Sequence, residues 1–90
     1  MVVFIWPNGK VKAVSSSTIR GISDEGRRPT KALIPHDSSE ELMFEVMIAL
    51  KPHTGGMSKY LLPVPEELLK AITCFDDYRR LKSKYPELFI

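Results

Sequence analysis

The fold is decided at the start of the chain, where residues 2–14 read VVFIWPNGKVKAV. Two runs rich in β-branched and aromatic residues, 2–6 and 10–14, flank the pair Asn8-Gly9. Asn and Gly tolerate the positive φ angles that a two-residue type I′ turn requires. The stretch therefore predicts an N-terminal β-hairpin.

The predicted turn also determines which side chains face each other across the hairpin. It places Trp6 opposite Val11 and Phe4 opposite Ala13. The face that carries these side chains is thoroughly apolar, so we expect it to contact the core. The other face, which includes Ile5, is mixed, so we expect it to be partly exposed to solvent.

Two short strands are predicted after the hairpin. Residues 31–34 are typical of a strand that ends at Pro35, and residues 57–62 are typical of another strand after a turn at 53–56. Between the hairpin and Pro35, residues 15–31 contain serines, two glycines and clustered charges. This composition predicts a long, mobile, basic loop with little to bury.

The first helix is predicted over residues 39–50, and its interior is apolar on nearly every side. Asp37 and Ser38 each precede a glutamate at the spacing of a capping box, which indicates a helix N-terminus. Glu45 is the one polar residue in the interior of this helix, whereas a surface helix normally has a polar face. We expect the helix to be covered on two sides.

A second helix is predicted over residues 65–84. Proline is well tolerated at the first helical position, and acidic residues at the start and basic residues at the end suit the helix dipole. We expect Cys74 to be a small buried hydrophobe inside this helix and Asp76 to pair with Arg80. The core stripe has the three- and four-residue spacing of a helix and consists of Leu68, Ile72, Phe75, Tyr78 and Leu81.

The order of elements, ββ(β)αβα, predicts a single small α+β domain over residues 1–90. In it, the hairpin and one or two short strands pack against two helices. Ninety residues are enough for one hydrophobic core. No secretory leader or membrane span is recognisable, and the lone Cys74 excludes an internal disulfide, so we expect an intracellular, cytoplasmic protein.

The motifs that catalysis and cofactors need are weak in this sequence. His36, Asp37 and His53 are the one candidate metal set, and their separation does not match a known ligand spacing. The glycine pair at 55–56 precedes an extended segment rather than a helix, which argues against a phosphate-binding loop. We therefore predict no enzymatic activity, no metal and no cofactor.

The charge is asymmetric along the chain, although the net charge is only +2. Residues 1–31 contain two acidic residues against six basic ones: Lys10, Lys12, Arg20, Arg27, Arg28 and Lys31. With Phe4 and Trp6 nearby, residues 10–31 resemble the basic and aromatic surfaces that bind nucleic acids. The same aromatic residues also fit the apolar face of the hairpin. Nucleic-acid binding is thus an alternative hypothesis for function.

Thr30 is a candidate phosphorylation site, because Arg27 and Arg28 precede it in a predicted loop. The motif is short and arises often by chance, so a solvated basic loop is the favoured explanation.

The leading hypothesis is a small non-enzymatic protein–protein interaction module. The apolar helix over 39–50 exceeds what a domain of this size readily covers, and large exposed apolar patches mark interfaces. We predict that Met43, Met47 and Phe44 contact a partner protein or a second copy of the chain in a homodimer. The methionines are expected to be exposed rather than Phe44, because methionine adapts more readily to partial exposure.

Overall fold

A four-stranded mixed sheet lies at the centre of the molecule. The computed structural model describes residues 1–50 and 57–89. Within these residues the strands are β1 (Val2–Ile5), β2 (Val11–Val14), β3 (Lys31–Pro35) and β4 (Leu61–Val64). Their order across the sheet is β2-β1-β3-β4, with β1 antiparallel to both neighbours and β3 parallel to β4. The predicted α+β class and the N-terminal hairpin are confirmed.

The hairpin turn contains three residues rather than the two predicted. The Gly9 N–H donates to the Trp6 carbonyl at 3.0 Å, and Gly9 has a φ of +87°. Pro7 fits the second position of a type I turn because its φ is fixed near the required value, and Gly9 supplies the left-handed residue that follows. The predicted pairing is therefore wrong by one residue, since Ile5 rather than Trp6 lies opposite Val11.

Buried side chains cover both faces of the sheet. On one face, Phe4 and Ile34 pack with Leu50 in a first core cluster. On the other face, Val3 and Ile5 pack with the C-terminal helices in a second core cluster. The expected exposure of the Ile5 face is wrong, because a second layer of helices covers it and Ile5 is only 5% exposed.

The helix that links β3 to β4 is α1 (Glu40–Ala49), which confirms the first predicted helix. Its N-cap is Ser39, whose hydroxyl oxygen accepts a hydrogen bond from the Leu42 N–H at 3.2 Å. Both predicted capping boxes are therefore wrong. The chain first turns after β3, and the Ser38 hydroxyl donates to the Pro35 carbonyl within that turn.

The C-terminal part of the chain forms two helices, α2 (Glu66–Lys70) and α3 (Phe75–Lys84), rather than the single one predicted. The backbone N–H and the hydroxyl of Thr73 both donate to Asp77, at 3.1 and 2.6 Å. Thr73 directly precedes the N-cap Cys74, so these bonds connect the residue before α3 to the first turn of the helix. They therefore stabilise a new helix start in place of a continuous helix.

This break between α2 and α3 changes the predicted burial of Cys74 and the predicted ion pair of Arg80, and it leaves the core stripe intact. Cys74 is the N-cap of α3 and is exposed, so its predicted burial inside a helix is wrong. Arg80 lies 3.5 Å from Asp77 and does not pair with Asp76 as predicted. The predicted stripe does pack in or against the second core cluster, with Leu68, Ile72, Phe75, Tyr78 and Leu81.

β4 begins four residues later than the strand predicted to start at residue 57. Met57–Tyr60 form a 3-10 helix, and the strand that follows contains Pro63. Proline lacks the N–H that a central strand needs, and β4 is an edge strand, where proline is tolerated. The turn predicted at 53–56 lies outside the described residues.

The segment 15–31 is more deeply buried than its composition indicates. Ile19 and Ile22 belong to the first core cluster, and Pro29 is also buried. The expectation that this segment has little to bury is wrong, because single apolar residues among polar ones leave no periodic signal in the sequence. Its mobility stays a prediction.

Candidate interaction surface on helix α1

Helix α1 carries apolar side chains on the side that is turned away from the sheet. Val46, Ala49 and Leu50, on its inner side and at its end, are buried in the core. On the outer side, Phe44 is 59% exposed and Met43 is 38% exposed. A surface helix normally has polar residues at such positions.

Met43, Phe44, Met47 and Ile48 form a continuous surface, which we call the α1 patch. Residues three and four positions apart are neighbours on a helix, and Met47 and Ile48 are both half-buried. The three predicted contact residues therefore lie together, and Ile48 joins them. Met43 is exposed as expected, whereas Met47 packs against the first core cluster. Phe44 is more exposed than either methionine, because it lies about 200° around the helix from the buried Val46.

The α1 patch has acidic residues at one end and an arginine at the other. Glu40 and Glu41 are exposed in the first turn of α1. At the opposite end, Arg28 Nη1 donates to the Ala49 carbonyl at 3.5 Å. Within residues 1–50 and 57–89, none of these three charged side chains forms an ion pair. The position of Arg28 was not predicted, because no local pattern links it to a helix 21 residues away.

Glu45, the one polar residue in the interior of α1, pairs with Arg20. Arg20 Nε lies 2.6 Å from Glu45 Oε2. The hydrogen bond from Arg20 lowers the pKa of Glu45, and the same bond raises the pKa of Arg20. The sequence pattern predicts that Arg20 belongs to a basic surface. The isolated Glu45 is the signal that could have corrected this assignment, because a lone charge on an apolar helix needs a partner.

The residues predicted to bind nucleic acid do not combine with exposed aromatic rings. Phe4 and Trp6 are buried, so neither ring is available for stacking on a base. Lys10 Nζ lies 2.8 Å from Asp24, and the hydrogen bond to Asp24 raises the pKa of Lys10. Of the other predicted cations, Arg20 is paired with Glu45 and Lys31 is half-buried. The predicted basic residues that are left, all of them exposed, are Lys12, Arg27 and Arg28.

Thr30 is half-buried beside β1. Its N–H and its hydroxyl both donate to the Ile5 carbonyl, at 2.9 and 3.3 Å. Phosphorylation of Thr30 stays a prediction, and it requires the hydrogen bond from the Thr30 hydroxyl to break.

Several side chains of types used in catalysis are held in structural contacts. Ser38 donates its hydroxyl to the main chain, and the hydrogen bonds from Thr73 lower the pKa of Asp77. In the described part of the chain, no three His, Cys, Asp or Glu side chains converge as metal ligands. His53, one of the predicted set, lies outside that part. Among the described helices, none is long and apolar enough to cross a membrane.

Comparison of the chain with protein-family models, with curated proteins and with solved structures gives no match.

Proposed function

We propose that the protein is a non-enzymatic protein–protein interaction module that binds a second copy of itself through the α1 patch. The observation that supports this function is the exposure of Phe44 and Met43 on a helix whose other side lies in the core. Exposure of large apolar side chains to water is unfavourable, and contact with a matching apolar surface removes it. Aromatic and methionine side chains are also enriched in protein interfaces.

A second copy of the chain suits this surface because the contact is repeated by symmetry. In a two-fold dimer each patch contacts the same patch, so every apolar contact occurs twice. Full burial of one large apolar side chain contributes roughly 1.5–3 kcal/mol. This stabilisation is opposed by the loss of translational and rotational freedom on association, which costs about 4 kcal/mol or more. We therefore expect a weak dimer with a Kd on the order of 10–100 µM.

Light scattering at protein concentrations from about 10 µM to about 1 mM measures the dimer. Met43→Lys and Phe44→Lys each place a charge in the patch, where dimerisation would bury it without a partner. We expect both variants to stay monomeric at concentrations where the parent is half dimeric. Because both side chains are exposed, the variants should keep the fold, as measured by circular dichroism.

Ala71→Lys is the matched control. Ala71 is exposed at the end of α2, a helix that packs against the opposite face of the sheet. The variant adds the same charge away from the patch and should dimerise as the parent does. A parent that is monomeric throughout the range, or patch variants that dimerise normally, would refute the proposal.

Nucleic-acid binding is a second candidate function, supported by the exposed cations Lys12, Arg27 and Arg28. It has less support than self-association, because Lys10 and Arg20 are already paired with carboxylates. Salt dependence separates the two functions. Phosphate contacts weaken steeply as salt rises, whereas apolar association does not.

A further inference from the structure

Charges of opposite sign lie at the two ends of the α1 patch, with Glu40 and Glu41 at the N-terminal end and Arg28 at the C-terminal end. We infer that the two copies of the dimer place their α1 helices antiparallel. Glu40 and Glu41 of each copy then contact Arg28 of the other. This arrangement rests on the proposed function and gives the dimer a defined geometry.

The α1 patch matches itself in the antiparallel orientation. The ten residues of α1 extend over about 15 Å. With the two-fold axis at the middle of the α1 patch, between Glu45 and Val46, Phe44 of one copy lies opposite Met47 of the other. The same register brings Glu41 level with the last turn of the second copy, where Arg28 contacts the Ala49 carbonyl. A single register therefore allows both the apolar contact between Phe44 and Met47 and the contact of the glutamates with Arg28.

A parallel arrangement would oppose like charges. Glu40 and Glu41 would lie beside their own counterparts, and Arg28 would lie at the same end as the second Arg28. Like charges repel, and two parallel helix dipoles add to the repulsion. The antiparallel arrangement removes both effects. The charges at the ends are also unpaired within the described residues, whereas Arg20 and Glu45 alongside the patch already pair with each other.

Charge reversal on the two sides of the contact tests this geometry. Arg28→Glu on one protein and the double change Glu40→Lys, Glu41→Lys on another each create like-charge contacts in their own homodimers. We expect each to dimerise about tenfold more weakly than the parent. In an equimolar mixture, both contacts of the mixed dimer again join opposite charges. We expect the mixed dimer to return to within about threefold of the parent affinity.

Two variants serve as matched controls. Arg27→Glu makes the same charge change in the residue next to Arg28, and Arg27 has no described contact with α1. The double change Glu66→Lys, Glu67→Lys removes two acidic residues from the first turn of α2, as the test variant does from α1. Both controls should dimerise as the parent does, and mixing them should change nothing.

The outcomes separate this inference from the function on which it rests. A monomeric parent refutes both. A parent dimer that Phe44→Lys abolishes, but that the charge reversals leave unchanged or that mixing does not restore, refutes the antiparallel pairing alone. Should Arg28→Glu fail to fold, Arg28→Gln replaces it. The mixed dimer then keeps one opposite-charge contact and must still form in preference to either homodimer.

Discussion

Arg20 and Glu45 form a two-point ion pair between residues that are 25 positions apart in the sequence. Arg20 Nε lies 2.6 Å from Glu45 Oε2, and Arg20 Nη2 lies 2.8 Å from Glu45 Oε1. Arg20 directly follows Ile19, which is buried in the first core cluster. The pair therefore joins the segment 15–31 to the side of the helix that carries the proposed interface.

Replacing Glu45 with Gln should destabilise the protein at neutral pH and make its stability less sensitive to acid. The hydrogen bond from Arg20 lowers the pKa of Glu45 in the folded state. The ionised carboxylate therefore contributes stability above its unfolded pKa, and this contribution is lost as the pH falls through the folded pKa. Urea unfolding from about pH 7 to about pH 3 measures the effect, and the parent and variant curves should converge in acid.

Glu41→Gln is the control for this pH dependence, because Glu41 is on the same helix and has no ion pair among the described residues. Glu41→Gln removes a carboxylate from α1 without breaking an ion pair. A Glu45→Gln curve with the same pH dependence as the Glu41→Gln curve would contradict the stabilising role of the Arg20–Glu45 pair.

Limited trypsin digestion should cut first within the segment 15–31, after Arg20 or Arg27. Trypsin cleaves poorly before proline, so the bond between Arg28 and Pro29 is a poor substrate. Glu45→Ala should speed the cut at Arg20, because the ion pair no longer restrains that residue. Glu41→Ala should not change the rate. First cleavage within α3, identified by mass spectrometry, would show that the segment is not the most mobile one.

Local patterns in the sequence account for most of the fold. The hairpin carries a turn signal, β3 ends at a proline, and the core stripe of the C-terminal helices has a helical period. Helix α1 is recognisable from a long apolar run that follows acidic and hydroxyl residues. The predictions are wrong where contacts between residues distant in sequence determine the structure. Val3 and Ile5 are buried because helices from the other end of the chain cover them. A separate helix α3 begins after Thr73, where two hydrogen bonds join Thr73 to Asp77 and the apolar stripe still packs in the core.

The candidate surface was predictable only in part, because its exposed side depends on contacts between residues distant in sequence. An apolar helix with a single interior charge, Glu45, indicates an interface from composition alone. The exposed side depends on which residues the sheet covers, and this places Phe44 rather than Met47 in solvent. Arg28 reaches the end of α1 through the path of the segment 15–31, for which the sequence has no periodic signal.

Replacing Gly9 with Ala should destabilise the hairpin. Gly9 has a φ of +87°, which strains a residue with a side chain, and an added Cβ would lie 3.4 Å from Phe75 Cδ1. We expect a loss on the order of 1–3 kcal/mol in the free energy of unfolding, measured in urea. The distance from the added Cβ to Phe75 is that of an ordinary van der Waals contact, so the positive φ carries the cost. Gly21→Ala has a similar positive φ with open space around it, so it should lose a similar amount. A much larger loss at Gly9 would show that the contact with Phe75 adds to the strain.

The thiol of Cys74 should react with Ellman's reagent in the native protein at close to the rate of the unfolded chain. Cys74 is exposed at the N-cap of α3, and its side chain hydrogen-bonds to Asp77 rather than packing in the core. We expect the native and urea-unfolded rates to agree within about tenfold. Strong protection in the native state would instead support a helix that continues through Cys74.

Nucleic-acid binding, the alternative function, predicts a shallower salt dependence when Arg27 and Arg28 are both replaced by Ala. Each phosphate contact contributes about 0.9 to the slope of log affinity against log salt on duplex DNA, so the slope should fall by up to about two units. Lys10→Ala is the control, because the Lys10 ammonium already lies 2.8 Å from Asp24. Fluorescence anisotropy with a labelled duplex of mixed sequence measures the slopes.

The single variant Arg27→Ala separates the alternative from the leading proposal. Arg27 is exposed and has no described contact with α1, so its loss should weaken nucleic-acid binding and leave the dimer unchanged. Arg28 lies at the end of the α1 patch, so Arg28→Ala should weaken the dimer whether or not nucleic acid binds. A parent protein that shows no binding to the duplex at low salt would eliminate the alternative, because phosphate contacts are strongest under that condition.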